Sequence, residues 1–351
     1  MNILIHGATN GSNFGDCLFA HIFYEAMSEY GVVDFLYMPR FGICDYLINE
    51  ISSYKHSLSN YKDADCLVYM SGGYFGDTTE SWKEALIRYF RYFRIAEYFI
   101  RNKKAIYVCG IGGGPVKNSF LRKKMVRVLN EAKFVSVRDE ETVDFFHSYG
   151  VTNPIHITTD SALSIKNRKL PPLEKKLHEL TVEKKNIFFH VYGSDKSNKE
   201  LIMKILPALN RFIAEHLDEY RVFVGTDNVC RKKTCDLEIY KKLSADKTAV
   251  DYSSTWSFCS LLKQMHSVIT VKLHVGIVSS LYGKSVVSFP KHINKTKRFY
   301  KQISCPERCK LLKDCDENEV YSMIKQFIDL PIEIDPSVTE KAGINLHPFE
   351  K

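Results

Sequence analysis

The sequence predicts an α/β protein built from two Rossmann-like domains facing a cleft. Three observations carry that reading. Short apolar runs ending in glycine or turn residues alternate with helical patterns, as in parallel sheets covered on both faces. The alternation breaks once, at KNRKLPPLEKKLHELTVEKK (166–185), where paired prolines and a charge run replace an apolar strand, and then resumes. A chain of 351 residues also suffices for two domains of ordinary size. The expected organisation is a first domain over 1–165, a linker with an exposed helical turn over 166–185, a second domain over 186–330 and a tail over 331–351.

The strands expected in the first domain are NILIHGA (2–8), VVDFLYM (32–38), CLVYMSG (66–72), AIYVCGI (105–111), FVSVR (134–138) and IHITT (155–159). The clearest helices there are 15–30, 79–102 and 119–132. In the second domain the strands are NIFFHVYG (186–193), RVFVGT (221–226), AVDY (249–252), VITV (268–271) and SVVSF (285–289), with helices near 197–218, 236–244, 255–266, 275–283 and 318–329.

The formal charge of +8 is unevenly placed. Residues 1–165 hold 17 Lys and Arg against 18 Asp and Glu; residues 166–351 hold 32 against 23. A basic second half suits an anionic ligand, an anionic membrane surface, or simply a solvated lysine face. No helix shows a regular basic and aromatic face, which argues against nucleic acid. The start, MNILIHGA, lacks a basic segment and a long apolar segment, and no apolar run reaches about 18 residues, so a cytosolic protein is expected. Ten scattered cysteines then read as reduced. Cys305, Cys309 and Cys315 are spaced C-x3-C-x5-C, without the CxxC pairs of common zinc sites, so neither metal nor cofactor is expected.

In open α/β sheets, ligands sit beyond the carboxyl ends of the strands, and the informative residues lie there. GATNGSNFGDCLFA follows the first strand. Its glycines give a flexible turn, with Asn13 and Asp16 at the start of a helix where Asp16 can cap free N–H groups. The turn is neither GxGxxG nor a P-loop, so neither NAD nor ATP is indicated. SGGYFGD (71–77) and GIGGGPV (110–116) follow the next strands; glycines such as Gly112 and Gly113 let a ligand or a neighbouring loop approach the backbone. Arg138 ends a strand and is a candidate for a carboxylate or phosphate, with Asp160, at the next strand end, placed to hold it or a hydroxyl. HVYGSD (190–195) ends the first strand of the second half. In VKLHVGIVSSLYGKSVVSFP (271–290), Lys272 and His274 follow a buried strand directly, and Lys291, Lys295, Lys297, Arg298 and Lys301 crowd the segment after it.

Taken in order, these motifs resemble the polysaccharide pyruvyl transferase family over roughly residues 3–300. They are N-x-G-D (Asn13, Gly15, Asp16), the double glycine Gly72–Gly73, G-x-G-x-G-P (GIGGGP), R-D-x-x-[ST] (Arg138, Asp139, Thr142), D-x-A (Asp160 to Ala162), and R-L-H followed by G-x-P-V and a lysine. Two depart from the pattern. R-L-H reads Lys272-Leu273-His274, keeping the charge without the bidentate fork, and G-x-P-V reads Gly283-Lys284-Ser285-Val286 without proline. The later lysine matches at Lys295, with Lys291 competing.

The resemblance implies a GT-B-like fold, phosphoenolpyruvate as co-substrate, a sugar acceptor and a cyclic pyruvate ketal as product. It assigns Arg138, His274, Lys295 and, by charge, Lys272 to donor binding or catalysis. A dense anion such as phosphoenolpyruvate needs several converging cations. Imidazole titrates near neutrality, so His274 suits an acid or a phosphate ligand. Asp16 suits the orientation or deprotonation of the acceptor hydroxyl. The expected substrate contacts also include Asn13, Gly112, Gly113 and Asp160. Two other functions stay open: a GT-B glycosyltransferase using a nucleotide sugar, and a non-catalytic sugar-phosphate binding protein. A polyprenyl-diphosphate-linked acceptor at the inner membrane face is compatible with the aromatic, basic helix SWKEALIRYFRYFRIAEYFIRN (81–102); a half-buried helix packed on the first sheet is the simpler account of the same pattern.

Overall fold

The structure, a computed structural model, describes residues 1–37, 42–76, 81–216, 218–291 and 293–350. The end of the strand expected at 38, turn residue Asp77, the helix start at 79–80 and residue 217 of the helix 197–218 lie outside the described residues. The chain divides into two compact units. One comprises Met1–Ser12, Asp16–Ser164 and Pro336–Lys351; the other comprises Asn13–Gly15 and Ile165–Asp335.

The first unit is a parallel sheet of β1 (Asn2–His6), β2 (Val32–Phe35), β3 (Cys66–Tyr69), β4 (Gly72–Phe75), β5 (Ala105–Gly113), β6 (Phe134–Val137) and β7 (His156–Ile157). Its order is β2-β1-β3-β5-β6-β7, with β4 also paired to β5. The second unit is a parallel sheet of β8 (Lys185–His190), β9 (Tyr220–Gly225), β10 (Lys247–Val250), β11 (Ser267–Thr270) and β12 (Ser285–Ser288), in the order β10-β9-β8-β11-β12. Every residue of β3, β6, β9, β11 and β12 is buried. That explains why these strands read as continuous apolar runs rather than alternating ones: helices cover both faces. Phe75, Phe93, Phe99 and Phe146 anchor the first core, and Phe189, Phe212, Val222 and Ile324 the second.

The structure differs from the sequence reading in several places. GGYF forms strand β4, and β5 runs on through the glycines that read as a loop. Gly110, at φ +59, permits that continuation, because a Cβ there would strike Ser71 and Asn345. The helices 79–102 and 197–218 are each interrupted by a π turn, Tyr89–Phe93 and Leu201–Ile205. Further helices form at Asp45–Glu50, Glu140–Ser148 and Ile293–Gln302. Within 166–185, Lys175–Val182 is a helix without a buried residue. In the segment read as a tail, Pro336–Gly343 is helical and Asn345 is fully buried in the first unit.

Among the described residues no helix is long and apolar enough to cross a membrane, and no group of three or more His, Cys, Asp or Glu side chains is arranged to hold a metal ion. No disulfide joins the cysteines among the described residues; burial pushes the Cys309 thiol up to about 12.

Candidate functional site

Strand order reverses between β8 and β11 in the second unit, and ligands of open α/β sheets bind beyond the strand ends at such a reversal. His190 ends β8, Asp227 lies two residues beyond β9, and Lys272 lies two residues beyond β11. Their side chains meet. His190 Nε2 is 3.3 Å from Asp227 Oδ1, and Lys272 Nζ is 3.5 Å from Asp227 Oδ2. His190 and Asp227 are buried while Lys272 is part-exposed. Burial by itself would raise the Asp227 carboxyl; the charges of His190 and Lys272 outweigh it and hold the group down at about 2. Asp227 is therefore an anion that keeps a strand-end lysine in place.

The N-x-G-D turn joins this cluster from a distant part of the sequence. Asn13 Nδ2 donates to Asp227 Oδ2 at 3.2 Å, and the Phe14 N–H donates to the Asp227 carbonyl at 2.8 Å. The Phe14 ring packs edge-on against Phe258, with centroids 4.8 Å apart. Gly15 is required for a steric reason: a Cβ at this position would overlap the imidazole of His274. His274 lies in the first turn of the helix Leu273–Leu281, whose N-cap is Lys272. Asn13 and Lys272 thus meet at Asp227, and Gly15, two residues after Asn13, lies against His274.

Tyr192 adds an aromatic wall. Lys272 Nζ and Lys291 Nζ lie over its ring at 5.7 and 4.7 Å from the centroid, and burial raises the phenol to about 12, so it stays protonated. Lys291 Nζ also donates to the Ser197 carbonyl at 3.2 Å. Lys295 is half-buried on the helix Ile293–Gln302, which packs against the Leu273–Leu281 helix where Tyr300 approaches Gly276.

In the first unit, Arg138 and Asp160 stand at the ends of β6 and β7. Arg138 Nη1 is 2.9 Å from Asp160 Oδ2, and both side chains are buried. The guanidinium lies across Gly112, where a Cβ would come within 2.6 Å of it. Asp139 and Thr142 do structural work: Asp139 caps the helix Glu140–Ser148 by accepting from the Thr142 N–H at 2.8 Å and its hydroxyl at 2.7 Å. Thr142 Oγ1 in turn accepts from the Gly113 N–H at 2.9 Å, and the space a Gly113 side chain would need is filled by Phe146 and Thr142. A side chain on Gly76 would overlap the Gly113–Gly114 backbone, so the two glycine segments are there to pack on each other.

The first sheet reverses between β1 and β3. His6, ending β1, is fully buried; burial lowers it from 6.5 to about 4, so it is neutral at physiological pH. Its Nε2 bonds the Arg91 carbonyl at 2.8 Å, and the Tyr69 hydroxyl donates to the Tyr92 carbonyl. Both carbonyls belong to the π turn, whose altered hydrogen bonding leaves them for side-chain partners. The same turn aims Arg91 at Asn10, to whose side-chain oxygen it donates. Asp16 does not precede its helix: it sits in the first turn of Phe14–Ser28, where a carboxylate is favourable, and its charge acts on the stacked pair Tyr74–Tyr92.

Sequence reasoning passed over Asp227, quoted HVYGSD without giving His190 or Tyr192 a role, and gave Arg91 none either. The first three carried a usable signal, since each lies at or just beyond a strand end of the second sheet. Arg91 carried none, because its placement depends on the π turn.

No curated protein matches the sequence. Among solved structures, S. aureus MnaA in complex with UDP superposes with a TM-score of 0.65 at 12% identity, over 98% of this chain and 93% of that one. The UDP-GlcNAc 2-epimerase of Neisseria meningitidis bound to UDP-GlcNAc gives 0.64 at 10% identity, over 100% of both chains. A putative UDP-N-acetylglucosamine 2-epimerase of Listeria monocytogenes gives 0.63 at 9%, over 99% and 91%. At such identities the likeness establishes the fold, GT-B-like with two Rossmann-like units. The family model of polysaccharide pyruvyl transferase spans residues 13–291, from the asparagine that holds Asp227 to the lysine over Tyr192. On that span the chain belongs to the polysaccharide pyruvyl transferase family.

Proposed function

We propose that the protein transfers the enolpyruvyl group of phosphoenolpyruvate to two hydroxyls of one sugar in a cell-surface polysaccharide precursor, forming a cyclic ketal and releasing phosphate. A proton adds to the methylene carbon of the donor, and two hydroxyl oxygens bond to its C2. The C2–O bond to phosphate breaks. One hydroxyl proton is balanced by the new methyl hydrogen, and the other leaves with phosphate.

The observation that carries the reading is the cluster at the reversal of the second sheet, where Asp227 pairs with Lys272 and accepts from Asn13, and Gly15 of the same turn lies against His274. Lys272, with Lys291 across the Tyr192 ring, supplies cations for the donor's phosphate and carboxylate. Asp227 positions Lys272 rather than meeting substrate. His274 is the proposed proton donor, Lys295 a further donor contact, and Asp16 the group that orients or deprotonates an acceptor hydroxyl. Arg138, its plane set by Asp160 over Gly112, is a further anion contact.

Calorimetric titration of phosphoenolpyruvate, with UDP as the control ligand, tests this. Phosphoenolpyruvate should bind the wild type, and Lys272→Ala with His274→Ala should weaken it by about a hundredfold, as expected for two charge-assisted contacts. Tight UDP binding with no response to phosphoenolpyruvate would instead favour a nucleotide-sugar enzyme.

A further inference from the structure

Trp82–Arg88, the π turn Tyr89–Phe93 and Arg94–Arg101 form one continuous helical run with two apolar faces. One face buries Ala85, Tyr92, Phe93, Ile95, Ala96 and Phe99 against the first sheet. The other exposes Trp82 (59%), Leu86 (42%), Ile87 (45%) and Phe90 (41%). Their spacing makes a single stripe along the helix. A contiguous exposed apolar stripe of this kind marks an interaction face.

The charges around the stripe say what it meets. Lys83 and Arg94 are exposed on the same run, and the Arg94 guanidinium lies 5.2 Å over the Phe90 ring. The carboxylates of the run are already matched: Glu84 faces Arg88 at 3.0 Å, and Glu97 takes Lys124, Arg101 and the Tyr89 hydroxyl. Beside the stripe lies a groove of about 600 Å³ whose lining includes Lys62, Arg94 and Arg101, the rings of Tyr89 and Phe90, and one carboxylate, the already paired Glu97. An apolar stripe edged by cations, next to a cationic aromatic groove, matches an anionic lipid surface. A second copy of the chain is a poorer match, since two-fold pairing centred on this stripe would set Lys83 of one copy against Arg94 of the other, cation against cation.

We propose that this face docks on an anionic phospholipid bilayer. Trp82, Leu86, Ile87 and Phe90 enter the boundary between headgroups and acyl chains, and the groove takes a lipid phosphate between Lys62, Arg94 and Arg101. The proposal stands independently of the transfer reaction, because none of these residues belongs to the cluster around Asp227.

Co-sedimentation of the full chain with phosphatidylcholine vesicles, with and without phosphatidylglycerol, is the test. The wild type should sediment with the phosphatidylglycerol vesicles only, and less so at high salt. Trp82→Glu with Phe90→Glu, and separately Lys62→Glu with Arg94→Glu, should each weaken binding by about tenfold or more, with unchanged thermal midpoints. The proposal is overturned if the wild type stays in the supernatant, or if either double variant binds like the wild type. It is equally overturned if gel filtration shows a dimer that Trp82→Glu with Phe90→Glu dissociates, which would mean that a second copy covers the stripe.

Discussion

Asp227→Asn isolates the charge at the centre of the second unit's cluster. Asn nearly matches Asp in shape, and its amide oxygen still accepts the Asn13 donation, so packing changes little. What disappears is the negative charge 3.5 Å from Lys272 and 3.3 Å from His190. Those neighbours, working against burial, hold the Asp227 carboxyl at about 2 rather than at its ordinary 3.8. At about 1.4 kcal/mol per pH unit, that depression is worth about 2 kcal/mol of folding stability at neutral pH. In the unfolded chain the group takes a proton as pH falls through 3.8, whereas in the folded protein it resists until about 2. The stabilisation is therefore complete above about pH 5, roughly half remains near pH 3, and it is gone below about pH 2. Urea unfolding of both proteins across this range measures it. The variant should be less stable by about 2 kcal/mol at neutrality, with the gap closing in acid. A gap absent at neutral pH, or equally wide near pH 3, would refute the claim that the ion pairs set the state of Asp227.

Three further outcomes are expected. Gly15→Ala should leave the helix intact, alanine being the better helix former, yet the new methyl displaces His274; turnover should fall by about a hundredfold with little change in thermal midpoint, and normal turnover would detach His274 from the chemistry. The wild type should lose about 3 kcal/mol of stability between about pH 6.5 and pH 4, because the unfolded chain protonates His6 and the folded one does not; His6→Gln keeps a donor for the Arg91 carbonyl and should remove that slope. Asn345→Ala should cost at least about 3 kcal/mol in urea unfolding, since the fully buried amide satisfies Ser136, Thr158, Ser161 and the Thr159 carbonyl, and a value under about 1 kcal/mol would mean the network rearranges without it.

The strands were legible because a parallel sheet covered on both faces demands continuous apolar runs, and VITV, SVVSF and CLVY have no other reading at that length. The same pattern missed β4, because GGYF offers no apolar run. Its approach to β5 needs glycine at 76, where a Cβ would strike the Gly113–Gly114 backbone. Neither π turn could be read either: the apolar spacing of YFRYF and LIMKI does not distinguish 3.6 from a wider turn, and two carbonyls of Tyr89–Phe93 are taken up by His6 and Tyr69.

By itself the sequence determined the two α/β series, the break between them, and which strand ends carry cations, because these follow from local patterning along the chain. Only the tertiary structure decided what each cation faces. Asn13 and Asp227 are 214 residues apart, yet they share a hydrogen bond, and the need for glycine at 15 is set by the imidazole of residue 274. Such pairings arise where a turn from one part of the chain reaches strand ends from a distant part, and there distance in space, not spacing in the chain, sets the electrostatics.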